Sequence, residues 1–384
     1  MNNNTYGVCE PVKVLPSELD SYKKTHPEIQ VIDKYDELLE EVFLLRNPKY
    51  KFDKNYSAAL KEFVASLGNL QNHGQWFYFS WINSLIHFLP EEMHTEMRTG
   101  RNKYLITKEE QDKYYNSRIG VLGMSVGSHA ALTIAMTGGS KFIKIADPDI
   151  LSGSNLNRIR TGYQNIGISK VISVAREIYL MNPYAEVNVY PEGLTNENIN
   201  EFLTGGGKLD CLIEEMDNPF FKFKIRELAR DLRIPVIMGT DNGDNIMADI
   251  ERYDLNKNIQ PFNGLAGPIK SGDLLNKRPQ EIIGIVARIA GPNLAVTRMQ
   301  QSVLEVGKSI YSWPQLGTAA NLCGSGLAYL SRKIILGAKN IKSGRFQVNL
   351  DSIFEADYNS AKQKAYRKRE TAKFLKAVKG DKKK

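Results

Sequence analysis

The residues of this chain whose types and spacing suit chemistry lie between Gly123 and Lys170. Gly123, Ser125, Gly127 and Ser128 follow the short apolar run Arg118-Ile119-Gly120-Val121-Leu122. They precede His129-Ala130-Ala131-Leu132-Thr133-Ile134-Ala135, which has helical character. This order predicts strand, tight turn and helix. Small residues let the backbone approach a ligand, and a helix start offers unpaired N–H groups and a partial positive charge to phosphate. The dinucleotide pattern G-x-G-x-x-G is incomplete, because Ser125 stands between Gly123 and Gly127. Alone, the turn reads equally well as a structural βα connection.

Lys141-Phe142-Ile143-Lys144-Ile145-Ala146 predicts a second strand ending at Asp147-Pro148-Asp149. An acid about twenty residues past such a turn accepts hydrogen bonds from ribose hydroxyls. The other reading of Asp147 and Asp149 is a cap on the following turn. Next come Ser154-Asn155-Leu156-Asn157-Arg158 and then Lys170. Hydride transfer at a nicotinamide has no use for two cations and two amides here. A triphosphate does: arginine presents a planar fork to phosphate oxygens, lysine a point charge, and both neutralise charge developing on leaving pyrophosphate. Taken singly, each is readable as a solvated surface charge. Their order after the turn makes the set informative.

With these residues in place, the sequence resembles the ThiF/MoeB/HesA superfamily of ubiquitin-activating-enzyme-like adenylyltransferases, over roughly residues 98 to 350. The family pattern has counterparts in Gly123 and Gly127, Asp147 and Asp149, Asn155 and Arg158, Lys170, and Asp217-Asn218 after the apolar Asp210-Cys211-Leu212-Ile213. The resemblance implies an α/β fold, a Rossmann-like sheet with helices on both faces. It implies that Gly123, Ser125, Gly127, Asp147 and Asp149 bind ATP, with Asp147 on the ribose. Asn155, Arg158 and Lys170 would contact the phosphates, and Asp217 would hold Mg2+. The alternative for Asp217 is a cap on the helix starting near Pro219. Arg98-Thr99-Gly100-Arg101-Asn102 partly matches a stretch from which relatives donate an arginine to the partner subunit's site, so Arg101 is the candidate trans arginine of a homodimer.

The detailed pattern is similar to a bacterial branch of ThiF-like proteins sometimes fused to a nitroreductase-like domain, a region this sequence lacks. The implied activity is ATP- and magnesium-dependent adenylylation of a carboxylate, as in the C-terminus of a ubiquitin-like or sulfur-carrier protein or a peptide. The rivals are a tRNA-nucleoside carboxylate-activating dehydratase of the same superfamily, a non-catalytic nucleotide-binding partner subunit, and a nicotinamide-dependent oxidoreductase. Nucleic acid is expected only as tRNA, in the dehydratase reading. The activated carboxylate and the second-step acceptor are left open. Cys211 and Cys323 sit in apolar or small-residue surroundings and read as core. No zinc-binding spacing occurs with only Cys9, Cys211 and Cys323 present.

The elements that must position this set divide the chain into an N-terminal accessory region (1–95), an adenylation domain (96–355) and a basic tail (356–384). In the first, 35–45 and 57–67 have helical spacing, which predicts a smaller, mostly helical region. Trp76-Phe77-Tyr78-Phe79-Ser80-Trp81-Ile82 reads as core or, alternatively, as a surface that recognises a peptide or carrier protein. Beyond Asp217, the sequence predicts a helix over 220–232, a strand over 235–239, site-covering loops within 241–316, a small-residue helix over 319–336 and a closing strand over 343–350. The net charge of +8 is a tail effect, since eleven lysines and arginines from Lys362 to Lys384 stand against Glu370 and Asp381. That tail reads as a solvated helix or disordered end, or as a partner-binding segment. No apolar run of about eighteen residues is present, and the polar start Met1-Asn2-Asn3-Asn4 and scarce cysteine lead to an expectation of a cytoplasmic protein without membrane contact.

Overall fold

The computed structural model describes residue 7 and residues 9–70 and 73–380. The polar start Met1 to Asn4 and the final Asp381 to Lys384 of the basic tail lie outside the described residues.

Four short strands build an N-terminal sheet: β1 (Val12–Val14), β2 (Gln30–Ile32), β3 (Gln75–Phe79) and β4 (Ser84–Phe88), in the order β1-β3-β4-β2. The aromatic run is β3, and its alternation assigns each ring a side. Phe77 and Phe79 join the main core, while Trp76 and Tyr78 pack with Val14 and Leu85 on the other face. The expected helices are Tyr35–Arg46 and Tyr56–Ser66, so the region holds a sheet in addition to its helices. Helix Glu91–Thr99 crosses residue 95 and ties the two parts together. A ring nitrogen of its His94 bonds the Met181 carbonyl at 3.1 Å, and Arg98 donates to the Ala135 carbonyl.

The larger sheet has seven strands: β5 (Arg118–Leu122), β6 (Phe142–Ala146), β7 (Glu186–Tyr190), β8 (Cys211–Glu214), β9 (Val236–Asn242), β10 (Asn245–Glu251) and β11 (Gly344–Val348), in the order β11-β10-β9-β8-β5-β6-β7. From β7 to β9 all neighbours are parallel, and β10 and β11 extend the sheet antiparallel. Along β5, Ile119 and Val121 face a core shared with helices Val126–Met136, Lys170–Met181 and Gly317–Ile335. Leu122 faces the opposite core, with Ile225 and Ala229 of helix Pro219–Asp231. Helices therefore cover both faces, as a buried parallel sheet requires.

The segment 241–316 contains strand β10 and helices Pro279–Ala290 and Thr297–Val303 as well as loops, and Asp241 itself belongs to β9. The tail forms helix Ala361–Gly380, whose Thr371 hydroxyl accepts from Gln300 Nε2 at 3.0 Å and whose Phe374 is buried. Among the described residues, no helix is long and apolar enough to cross a membrane.

Candidate functional site

β5 is the point where strand order reverses, with β6 on one side and β8 on the other, and in open α/β sheets ligands bind beyond the carboxyl ends of strands at such a point. The glycine turn stands there. Gly123 donates its N–H to the Ala146 carbonyl at 2.8 Å and adopts φ +82°, and a Cβ on it would lie 2.3 Å from the Glu215 carbonyl oxygen. Only glycine fits that position. Gly127 lies in the first turn of helix Val126–Met136, where a Cβ would meet Val121 Cγ1 at 3.0 Å.

Asp147 ends β6 with a buried carboxylate. One oxygen accepts the Met124 N–H and the other the Asp149 N–H at 2.8 Å, so the acid is locked onto the glycine turn. Burial raises its pKa, opposed by the charge of Lys170 and by these backbone bonds. A carboxylate has about four lone-pair sites, so two stay available for further donors. Lys170 opens helix Lys170–Met181 and is 7% exposed. Its Nζ lies 2.6 Å from Asp149 Oδ2 and 3.9 Å from Asp147 Oδ2.

Asn155 is buried, and its Oδ1 accepts the Ser152 N–H at 3.0 Å. Its carbonyl accepts the N–H groups of Arg158 and Ile159, which folds the S-N-L-N-R segment into a turn. That turn aims Arg158 back at the glycine loop. Arg158 Nε donates to Ser125 Oγ at 3.0 Å, and Nη1 donates to Asn157 Oδ1 at 3.0 Å and the Ser154 carbonyl at 3.3 Å. Gly123, Ser125, Gly127, Asp147, Asp149, Asn155, Arg158 and Lys170 are thereby brought together at one crevice.

Asp217 follows β8 and is exposed. The helix beginning at Pro219 is capped by Asn218, whose side-chain oxygen accepts the Phe221 N–H at 3.2 Å. The capping task therefore falls to the neighbour, leaving an exposed hard oxygen ligand at the strand's carboxyl end. That donor chemistry suits Mg2+, which takes one or two carboxylates besides phosphate oxygens. Beneath it, Glu214 accepts from Lys222 Nζ at 3.0 Å and from Arg226, and Arg226 also donates to Glu251 at 2.8 Å. Burial works against the Glu214 charge, but Lys222 and Arg226 hold its pKa below the ordinary value. This buried network clamps helix Pro219–Asp231 to β8 and β10 and so fixes where Asp217 emerges.

The structure adds two residues that the sequence reading omits. Asp241, near the carboxyl end of β9, is 7% exposed and has one oxygen 3.2 Å from Gln315 Nε2; its other oxygen has no hydrogen-bond partner. The Gln315 carbonyl accepts from Asn157 Nδ2 at 2.9 Å, so Gln315 joins β9 to the S-N-L-N-R turn. Burial pushes the Asp241 pKa up to about 6, moderated by Gln315 and by Arg158. The available signal was an acid at the carboxyl end of an apolar strand beside β8. Gln315 carries no local signal.

Arg101 is exposed in the short turn Gly100–Asn102, away from the bonds that hold its neighbours: Arg98 to Ala135, and Asn102 to Gln111 and Thr137. All three cysteines are buried. Burial, with Glu215 and Asp241 nearby, raises the Cys323 thiol well above its ordinary pKa, and burial likewise raises Cys211. Both behave as core. Among the described residues, no group of three or more His, Cys, Asp or Glu is placed to hold a metal ion by itself.

Several known proteins are similar to this chain. Uncharacterized protein MT1398 of Mycobacterium tuberculosis (strain CDC 1551 / Oshkosh) is 32% identical over 286 residues, 74% of this chain and 39% of that protein. The adenylyltransferase and sulfurtransferase UBA4 of Candida albicans is 31% identical, over 34% of this chain and 30% of that protein. The tRNA threonylcarbamoyladenosine dehydratase of Escherichia coli (strain K12) is 28% identical, over 42% of this chain and 61% of that protein. The chain thus spans between about a third and three fifths of these relatives. The ThiF family model matches residues 99–371, which contain every residue gathered at the crevice, and the chain belongs to the ThiF family.

Proposed function

We propose that the protein is an ATP- and magnesium-dependent adenylyltransferase that activates a carboxylate, namely the C-terminus of a ubiquitin-like or sulfur-carrier protein or a peptide. The observation that carries this reading is the convergence of Asp147, Lys170 and Arg158 on the glycine turn at the sheet's reversal point. Asp147 offers its spare lone pairs to the ribose. Arg158 and Lys170 trade their contacts with Ser125 and Asp149 for phosphate oxygens. The substrate carboxylate oxygen forms a bond to the α-phosphorus. The bond from that phosphorus to the bridging oxygen breaks, and its electron pair leaves on pyrophosphate. The substrate is itself the nucleophile, so no protein base is needed, and acceleration rests on alignment and on cations placed where charge grows. Mg2+ held by Asp217 would supply further neutralisation on the phosphates.

We assign substrate holding to the accessory region, where a cleft of about 790 Å³ is lined by Leu19, Asp33, Asp36 and the largely buried rings of Tyr35, Trp76 and His87. The His87 ring stacks between Tyr35 and Trp76, at 4.0 and 4.4 Å between centroids. Homodimerisation, with Arg101 reaching a neighbour's phosphates, completes the proposed arrangement.

Thermal unfolding with nucleotides tests the reading, because a ligand that binds only the folded state stabilises it. ATP with Mg2+ should raise the melting temperature more than NAD does; the reverse order overturns the proposal. The dehydratase reading, kept open by the relative of that name, is favoured instead if tRNA rather than a protein tail stimulates pyrophosphate exchange.

A further inference from the structure

Asp147, Glu214, Asp241, Asp249 and Glu251 are acidic residues buried among the described residues. Four have both oxygens matched. Asp147 accepts two backbone N–H groups, and Glu214 accepts Lys222, Arg226 and the Met216 N–H. Asp249 takes both forks of Arg345, while Glu251 takes Arg226, Tyr253 and the Phe262 N–H. Asp241 differs. Gln315 satisfies Oδ2, but Oδ1 is the one buried carboxylate oxygen among the described residues with no hydrogen-bond partner. A buried carboxylate left half satisfied is costly, and a protein keeps such a group where something else completes it.

The position of Asp241 says what that is. β8 and β9 are parallel neighbours paired at Ile213 and Ile237, and Asp217 and Asp241 each lie four residues beyond that pair, toward the crevice. Both acids act on the charge of Arg158, so both border the phosphate side of the crevice. The guanidinium itself is directed to Ser125, Ser154 and Asn157 instead of to Asp241. When a triphosphate enters, a bare carboxylate at Asp241 would repel it. A divalent cation between them turns that repulsion into attraction, and Mg2+ accepts up to two carboxylates alongside phosphate oxygens and water.

We infer that Asp241 is a second carboxylate for the nucleotide-borne Mg2+, acting with Asp217, and that Gln315 orients it by holding Oδ2 so that Oδ1 faces the ion. This rests on the nucleotide reading above, and it assigns to β9 a role in the site that the family pattern of motifs does not include. No further protein ligand is needed, since Mg2+ takes one or two carboxylates besides phosphate oxygens and water.

The test measures Mn2+ binding by electron paramagnetic resonance on the full chain, with a non-hydrolysable ATP analogue. Nucleotide affinity in EDTA is measured in parallel. Asp241→Asn keeps size and the bond from Gln315, and should weaken Mn2+ in the ternary complex on the order of tenfold or more, while leaving nucleotide affinity in EDTA unchanged or tighter. Asp241→Ser provides a second variant should the first fold poorly, with the same expectation. Wild-type Mn2+ affinity in folded Asp241 variants, together with a loss in Asp217→Asn, overturns the role of Asp241 and leaves the nucleotide reading intact. Failure of the wild-type protein to bind the analogue at all overturns both.

Discussion

Replacing Asp241 by Asn should make the ligand-free protein more stable at neutral pH, an unusual direction for a substitution at a buried polar site. The carboxyl group has an ordinary pKa of 3.8 and is pushed up to about 6 by burial, with Gln315 and Arg158 only partly offsetting it. Between those values the folded state holds a proton that the unfolded chain has lost. Stability therefore falls as pH rises through this window, and the penalty is fully present above pH 6. A rise of this size is worth about 3 kcal/mol, at 1.36 kcal/mol per pKa unit. Asn is neutral, nearly isosteric and still able to accept from Gln315. It also relieves Glu215, whose pKa burial raises well above its ordinary value with added repulsion from Glu214 and Asp241. Urea unfolding at pH 8 should thus show the variant more stable by up to about 3 kcal/mol, with the gap closing through pH 6 and absent near pH 4. A variant less stable than wild type at pH 8, or a gap that does not change with pH, would refute the picture of an uncompensated buried carboxylate.

Three further outcomes are expected. Gly123→Ala places a Cβ 2.3 Å from the Glu215 carbonyl at φ +82°, so it should destabilise the fold by roughly 2 kcal/mol or more and abolish the ATP-induced melting shift; a wild-type melting curve would contradict this. His94 has its pKa lowered to about 4 by burial and by Arg98, so stability should fall as pH drops from 6.5 toward 4, by about 3 kcal/mol, and His94→Leu should flatten that slope in chemical denaturation. Mixing Arg101→Ala with Lys170→Ala protein should restore adenylation, because one site of a mixed C2 dimer pairs an intact Arg101 with an intact Lys170. Verified subunit exchange without rescue, with Arg101→Ala itself inactive, would put the arginine in cis.

Much of the crevice was legible because its residues are local in sequence. The glycine turn, the acid at the end of β6, the S-N-L-N-R turn and Lys170 follow one another between β5 and the helix after β6, where strand runs and turn chemistry are readable in order. The N-terminal sheet was not legible, because β1 and β2 are three residues long and mostly exposed, which leaves no alternation to read. Asp241 escaped for another reason. Its neighbours Asn242, Gly243, Asp244 and Asn245 read as a loop, although Gly243-Asp244 between the paired Asn242 and Asn245 is a local two-residue hairpin turn that carries β9 into β10. Gln315 meets Asn157 across 158 residues, and no local pattern encodes such a contact.

The same separation bears on how the protein comes into being during synthesis. A nascent chain that has emerged as far as Lys170 carries the glycine turn, Asp147, Arg158 and Lys170, yet it lacks β8, β9 and Gln315. At about 5–20 residues per second, the ribosome adds the stretch from Asn157 to Gln315 in about 8 to 30 seconds. Throughout that interval the S-N-L-N-R turn has no tether from Gln315, and until β8 is made β5 presents an open edge on the side that β8 will occupy. Unpaired parallel edges invite pairing with other chains. Nucleotide competence therefore arrives late in translation, and the half-made sheet is the stage at which a chaperone has most to protect.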